Sequence, residues 1–97
     1  MANTLNMQSA YYIIRGKVQG VFFRANTKTT AENLGIKGWV KNTREGDVEV
    51  LAQGSDEQLK AFEEWCRKGP SRARVEEFVS EWRDSEEHAD FEIVRDH

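Results

Sequence analysis

The stretch Ala10-Tyr11-Tyr12-Ile13-Ile14-Arg15-Gly16-Lys17-Val18-Gln19-Gly20-Val21-Phe22-Phe23-Arg24 changes its local pattern twice. Residues 10–14 are rich in aromatic and β-branched side chains, the composition of a strand. Gly16 and Gly20, four positions apart, then break the run and predict a tight loop. Beyond the loop, Phe23, Thr27, Ala31 and Leu34 recur at steps of four and three, which is one face of a helix. Gly35 stands where a helix-ending glycine belongs. Strand, glycine loop and helix in direct succession read as the first half of a βαβ unit.

Working outward, residues 36–42 and 47–53 read as two strands, and Thr43-Arg44-Glu45-Gly46 between them reads as a hairpin turn. In the second of these strands Val48, Val50 and Ala52 alternate with Glu49, Leu51 and Gln53, predicting one buried face and one more open face. Ser55 with Gln58 three residues on is a capping box that opens a second helix. Leu59, Phe62, Trp65 and Cys66 form that helix's apolar stripe, Arg67 and Lys68 suit the negative end of its dipole, and Gly69-Pro70 stops it. Residues 75–82 are strand-like again, an acidic connector follows over 84–90, and residues 91–94 form a last short strand. The order is β-α-β-β-α-β plus a terminal strand. It predicts an α+β fold, the ferredoxin-like split βαβ sandwich, with an antiparallel sheet and two helices on one face. Trp39, Trp65 and Trp82 are expected to pack the core.

The chain has 97 residues, 38% hydrophobic and 32% charged, enough for one domain with one core. Residues 10–97 are expected to form it, preceded by a flexible tail over 1–9. No stretch approaches the roughly 20 apolar residues that cross a bilayer, and residues 1–9 do not resemble a secretion signal. The lone cysteine, Cys66, leaves no internal disulfide and no multi-cysteine metal site. A cytoplasmic location and a monomer are the resulting expectations. The net charge of −3 is unevenly spread: residues 1–44 hold seven Lys/Arg against Glu32 alone, and residues 45–97 hold seven against sixteen acids. That balance argues against nucleic acid or a membrane surface as partner and suits a small anion bound by the first half.

Two segments carry chemistry. In the glycine loop, Gly16 and Gly20 permit backbone angles that turn successive N–H groups toward one point. The helix that follows adds its own unpaired N–H groups and the positive end of its dipole. Arg24, in its first turn, supplies a planar guanidinium that matches two oxygens of a phosphate or carboxylate. The second segment, Gly38-Trp39-Val40-Lys41-Asn42-Thr43-Arg44-Glu45-Gly46-Asp47-Val48, puts Asn42 at a strand end. Asparagine is depleted in strands and common at turns, where its side chain bonds nearby backbone. In the split βαβ layout the first strand lies beside the second hairpin strand or its partner, so this strand end can approach Arg24.

Both segments resemble the signatures of the acylphosphatase family. The first matches glycine, any residue, Val-Gln-Gly-Val, an aromatic and an arginine. The second matches Gly-aromatic-Val-basic-Asn followed, three residues later, by Gly-any-Val. Gly69-Pro70 and Ala73-Arg74-Val75 add to the likeness, which covers roughly residues 10–95. The resemblance implies hydrolysis of acyl phosphates to a carboxylate and inorganic phosphate without metal or cofactor. It implies that Arg24 and backbone amides of Gln19, Gly20, Val21, Phe22 and Phe23 bind the phosphate and that Asn42 holds the attacking water. Gly16 and Gly20 would shape the loop, and Thr43 would support Asn42.

Other readings fare less well. An RNA-recognition module of the same element order needs exposed aromatics on its third strand, and residues 47–53 carry none. A non-catalytic small-anion binding or regulatory domain has use for Arg24 but none for a water-positioning Asn42. His88 and His97 are expected at the solvated surface, and Cys66 as a small core residue. The run Glu86-Glu87-His88 with Asp90 reads as solvated charge and not as a metal site.

Overall fold

A computed structural model describes residues 7–95. The elements follow in the order β1 (Gln8–Lys17), α1 (Phe23–Leu34), β2 (Lys37–Asn42), β3 (Val48–Gly54), α2 (Asp56–Lys68), β4 (Arg74–Trp82) and β5 (Phe91–Val94). β1 starts at Gln8, inside the stretch expected to be a tail; residues 1–6 lie outside the described residues, as does His97. The helix boundaries fall where the sequence puts them. Gly35 closes α1 in the left-handed conformation, and Ser55 and Gln58 form the reciprocal capping box of α2.

The sheet order is β4-β1-β3-β2-β5. β1 runs antiparallel to β3 and β4, and β2 antiparallel to β3. The sheet is nevertheless mixed, because β5 joins β2 in parallel. The connector from β4 crosses the whole sheet before β5 begins, which frees the chain from the antiparallel return of a hairpin. Since β1 and β2 are each antiparallel to β3, the C-terminal ends of β1, β2 and β5 all lie at one edge of the sheet. The glycine loop that follows β1 and Asn42 at the end of β2 lie there.

Both helices cover one sheet face, α1 over β2 and β5 and α2 over β1, β3 and β4. Between helices and sheet lie Tyr12, Ile14, Phe23, Ile36, Val40, Val48, Val50, Phe62, Cys66 and Phe91, all nearly inaccessible to solvent. Edge-on contacts join Phe23 to Trp65 and Phe62 to Phe91.

The other sheet face is less open than the alternation along β3 predicts, since Leu51 and Gln53 are also buried. β3 is the central strand, so Tyr11 and Trp39 flank Leu51 from both neighbours. Gln53 is covered by the acidic connector: its amide donates to the Glu86 carbonyl, and its oxygen accepts from the His88 N–H. The tryptophans divide. Trp65 packs against the core, Trp39 lies half-buried on the opposite face, and Trp82 is 68% exposed. β4 is an edge strand, and Trp82 is its last residue, opposite Ala10 and beside Asp56, Leu59 and Lys60 in the first turns of α2, where the sheet edge leaves it open to solvent. The sequence expectation of a buried Trp82 therefore fails because side-chain size says nothing about edge position.

Candidate active site

The loop between β1 and α1 gets its shape from two left-handed residues. Gly20 has φ 77°, and Phe22 has φ 62° despite carrying a side chain. A bulky residue in that region is strained and needs the surrounding structure to hold it there. Here Val21 and Phe23, on either side, are both buried in the core, which leaves Phe22 no room to relax and 72% exposed on the lip of the loop. Alternation of left- and right-handed residues turns successive N–H groups to one side, an anion nest. Phe22 is also the N-cap of α1, and no side chain caps that helix end.

The first turn of α1 runs against electrostatic preference. It contains no acid and holds the cation Arg24 at the positive end of the dipole. Both the helix end and Arg24 favour an anion there. A cleft of about 360 Å³ opens there, lined by Val18, Gly20, Phe22, Phe23, Arg24, Ala25, Asn42, Ile93 and Arg95. Among the described residues that line it are two guanidinium groups and no carboxylate. Arg24 and Asn42, separated in sequence by a helix and a strand, thus face one space.

The hairpin turn is tied to the loop. The Gln19 side-chain amide donates to the carbonyls of Thr43 and Asp47, each at 2.9 Å. The Thr43 hydroxyl accepts from the Asp47 N–H at 3.0 Å, and the Thr43 N–H donates to the Asp47 carbonyl. The Thr43 hydroxyl thus bonds within the turn that follows Asn42. Arg15 reaches Asp47 and Glu77 at 3.3 Å each, and these two carboxylates hold its guanidinium all the more firmly in the charged form.

The acylphosphatase family model matches residues 10–93. The chain belongs to the acylphosphatase family. It is 48% identical over 71 residues to an acylphosphatase of Marinobacter nauticus, covering 73% of this chain and 77% of that one. An acylphosphatase of Methylococcus capsulatus is 40% identical over 91 residues, covering 93% of this chain and 99% of the relative. The solved structure of an acylphosphatase from Coxiella burnetii superposes with a TM-score of 0.92 at 36% identity, over 97% of this chain and 99% of that one.

Of the site residues expected from sequence, this acylphosphatase fold brings Gly20, Phe22, Phe23, Arg24 and Asn42 to the cleft, while Gln19, Val21, Gly16 and Thr43 do not line it. Val21 is a core residue, and the side chain of Gln19 is the tie to the turn. Gly16 lies in β1 at φ 130°, at a register shift against β4, and a Cβ there would meet the Arg74 carbonyl oxygen at 2.2 Å. It shapes strand pairing, whereas Gly20, with nothing within 4 Å of a notional Cβ, shapes only the loop. Ile93 and Arg95 were missed. Their signal is the alternation of the last strand, legible only once β5 is known to lie beside β2. Cys66 stands apart, fully buried in α2, where burial pushes its thiol well above its ordinary pKa.

Proposed function

We propose that the enzyme hydrolyses acyl phosphates by direct attack of a water on a phosphoryl group seated in the loop between β1 and α1. Hydrolysis of this substrate class follows from membership of the acylphosphatase family. The reading of the mechanism rests on one observation: Arg24 and Asn42 open into the same cleft, at an uncapped helix end with no carboxylate among the described lining residues.

In this reading the Arg24 guanidinium and the main-chain N–H groups of the loop over residues 19–23 hold the equatorial phosphoryl oxygens. They offset the charge that grows there in a loose phosphoryl-transfer transition state. Asn42 holds the water through its carboxamide and aims it at phosphorus. Alignment alone removes much of the barrier when the reacting atoms are held near van der Waals contact. The leaving group is a carboxylate, which departs with the electron pair of the P–O bond and needs no proton. No general acid is therefore required. A carboxamide is no base at neutral pH, so the water's proton passes to a phosphoryl oxygen or to solvent.

The rival reading, a non-catalytic domain that only binds phosphate or carboxylate, predicts affinity without turnover. Incubating the pure chain with benzoyl phosphate and a chelator, and following loss of the anhydride, separates the two. Acceleration over buffer is expected; none would leave anion binding as the function.

A further inference from the structure

The geometry points to Arg95 as a specificity-determining residue, selecting acyl phosphates whose acyl group carries a second anionic substituent. This rests on the acyl phosphate reading of the cleft and adds to it the class of acyl group preferred.

The placement of Arg95 comes from strand register. β2 and β5 pair in parallel with Gly38 opposite Phe91, Val40 opposite Ile93 and Lys41 opposite Val94. Side chains alternate between faces along a strand. Val40 and Phe91 are buried under the helices, so Asn42 and Ile93 share that face, and Arg95, two residues on, continues the series. It emerges just past the end of β5, level with Asn42, and lines the same cleft as Arg24.

The two arginines reach the cleft from different elements. Arg24 stands in the first turn of α1, which lies over β2 and β5. Arg95 follows β5, the outermost strand, and with Ile93 forms the outer wall of the cleft. A phosphoryl group held by the loop turns its acyl group toward the rest of the cleft. There it meets an apolar contact at Ile93 and an exposed guanidinium at Arg95. Among the described residues neither Arg24 nor Arg95 is in an ion pair with a carboxylate. One phosphoryl group has its cation in Arg24. The second cation fits a second anion, and a guanidinium takes a carboxylate or a phosphate oxygen pair equally well.

The test uses two substrates that differ by one carboxylate, benzoyl phosphate and 4-carboxybenzoyl phosphate, on the full chain and its Arg95→Gln and Arg95→Glu variants. The readout is the ratio of kcat/KM values, carboxylated over plain. Arg95→Gln is expected to lower that ratio about tenfold, the equivalent of one screened charge-assisted contact, and Arg95→Glu further. The wild-type ratio should also fall as salt rises, since exposed charges are screened. An unchanged ratio in both variants, or equal losses on both substrates, would overturn the assignment. Equal losses would put Arg95 on the phosphoryl group. Calorimetry with 4-carboxybenzylphosphonate against benzylphosphonate measures the same preference without turnover. If wild type fails to hydrolyse benzoyl phosphate yet prefers the carboxylated phosphonate through Arg95, the catalytic reading falls and the specificity assignment stands.

Discussion

The side-chain amide of Gln19 spans the gap between two segments of the site, donating to the Thr43 carbonyl at 2.9 Å and to the Asp47 carbonyl at the same distance. Gln19 belongs to the loop before α1, and Thr43 directly follows Asn42. One amide therefore sets the spacing between the phosphate loop and the proposed water-binding residue.

Gln19→Leu removes both hydrogen bonds, while the Asp47 carbonyl keeps the Thr43 N–H and the Thr43 carbonyl keeps the Gly46 N–H; the loss of two part-buried hydrogen bonds costs about 1–3 kcal/mol. Gln19→Glu places a charged acceptor against the same two carbonyls and is expected to be worse. Urea unfolding and kcat/KM for benzoyl phosphate should fall in the order wild type, Leu, Glu. A glutamate variant equal to wild type in both would mean that the loop and turn are held by other contacts.

Arg24 and Asn42 should fail differently. Arg24→Ala is expected to abolish inorganic phosphate binding and hydrolysis together. Asn42→Ala should keep phosphate affinity, read by calorimetry, and lower kcat by about 10²–10³-fold, the usual loss when one positioned polar group is removed. A normal kcat in the asparagine variant would end its assignment as the water holder.

Among the described residues, those lining the cleft include no carboxyl, imidazole, thiol or phenol. A rate profile flat between roughly pH 5 and 8, apart from substrate ionisation, is expected. A single inflection near 6.5 would implicate a histidine. Stability should vary at higher pH. Burial, with the Glu49 carboxylate beside it, pushes the Tyr11 phenol from 10.0 up to about 12. The folded state thus holds the phenolic proton more tightly than the unfolded chain does. This contribution is complete below pH 10 and disappears as pH rises toward 12. Tyr11→Phe should flatten the loss of melting temperature across that window.

Gly16 and Gly20 look alike in the sequence and should behave differently. Gly16→Ala drives a Cβ against the Arg74 carbonyl oxygen and is expected to cost more than about 3 kcal/mol, in the range of backbone clashes. Gly20→Ala meets nothing within 4 Å but sits at φ 77°, so the left-handed penalty of about 1–2 kcal/mol is its main cost. Its larger effect should be on KM for benzoyl phosphate. Comparable unfolding free energies for the two variants would contradict this division.

Much was legible from local pattern. The composition of residues 10–14, the four-and-three spacing from Phe23 to Leu34 and the capping box at Ser55 each depend on nearby residues alone, and local physics suffices to specify helices, strands and caps. The loop of Gly20 and the first turn holding Arg24 are local in the same sense, because backbone freedom and the helix dipole act within a few residues. The family resemblance of the two long segments follows from the same stretches.

What depended on non-local pairing was not legible. That β5 joins β2 in parallel, that β3 lies centrally with both faces covered, and that Trp82 stands exposed at an edge all follow from which strands become neighbours. Strand composition does not encode neighbours; the total burial of the folded chain selects them. The same holds within the site. The element order alone lets the strand end bearing Asn42 approach Arg24, but Gln19's tie to the hairpin turn and the presence of Arg95 on the outer wall exist only because three strand ends meet at one edge of the sheet.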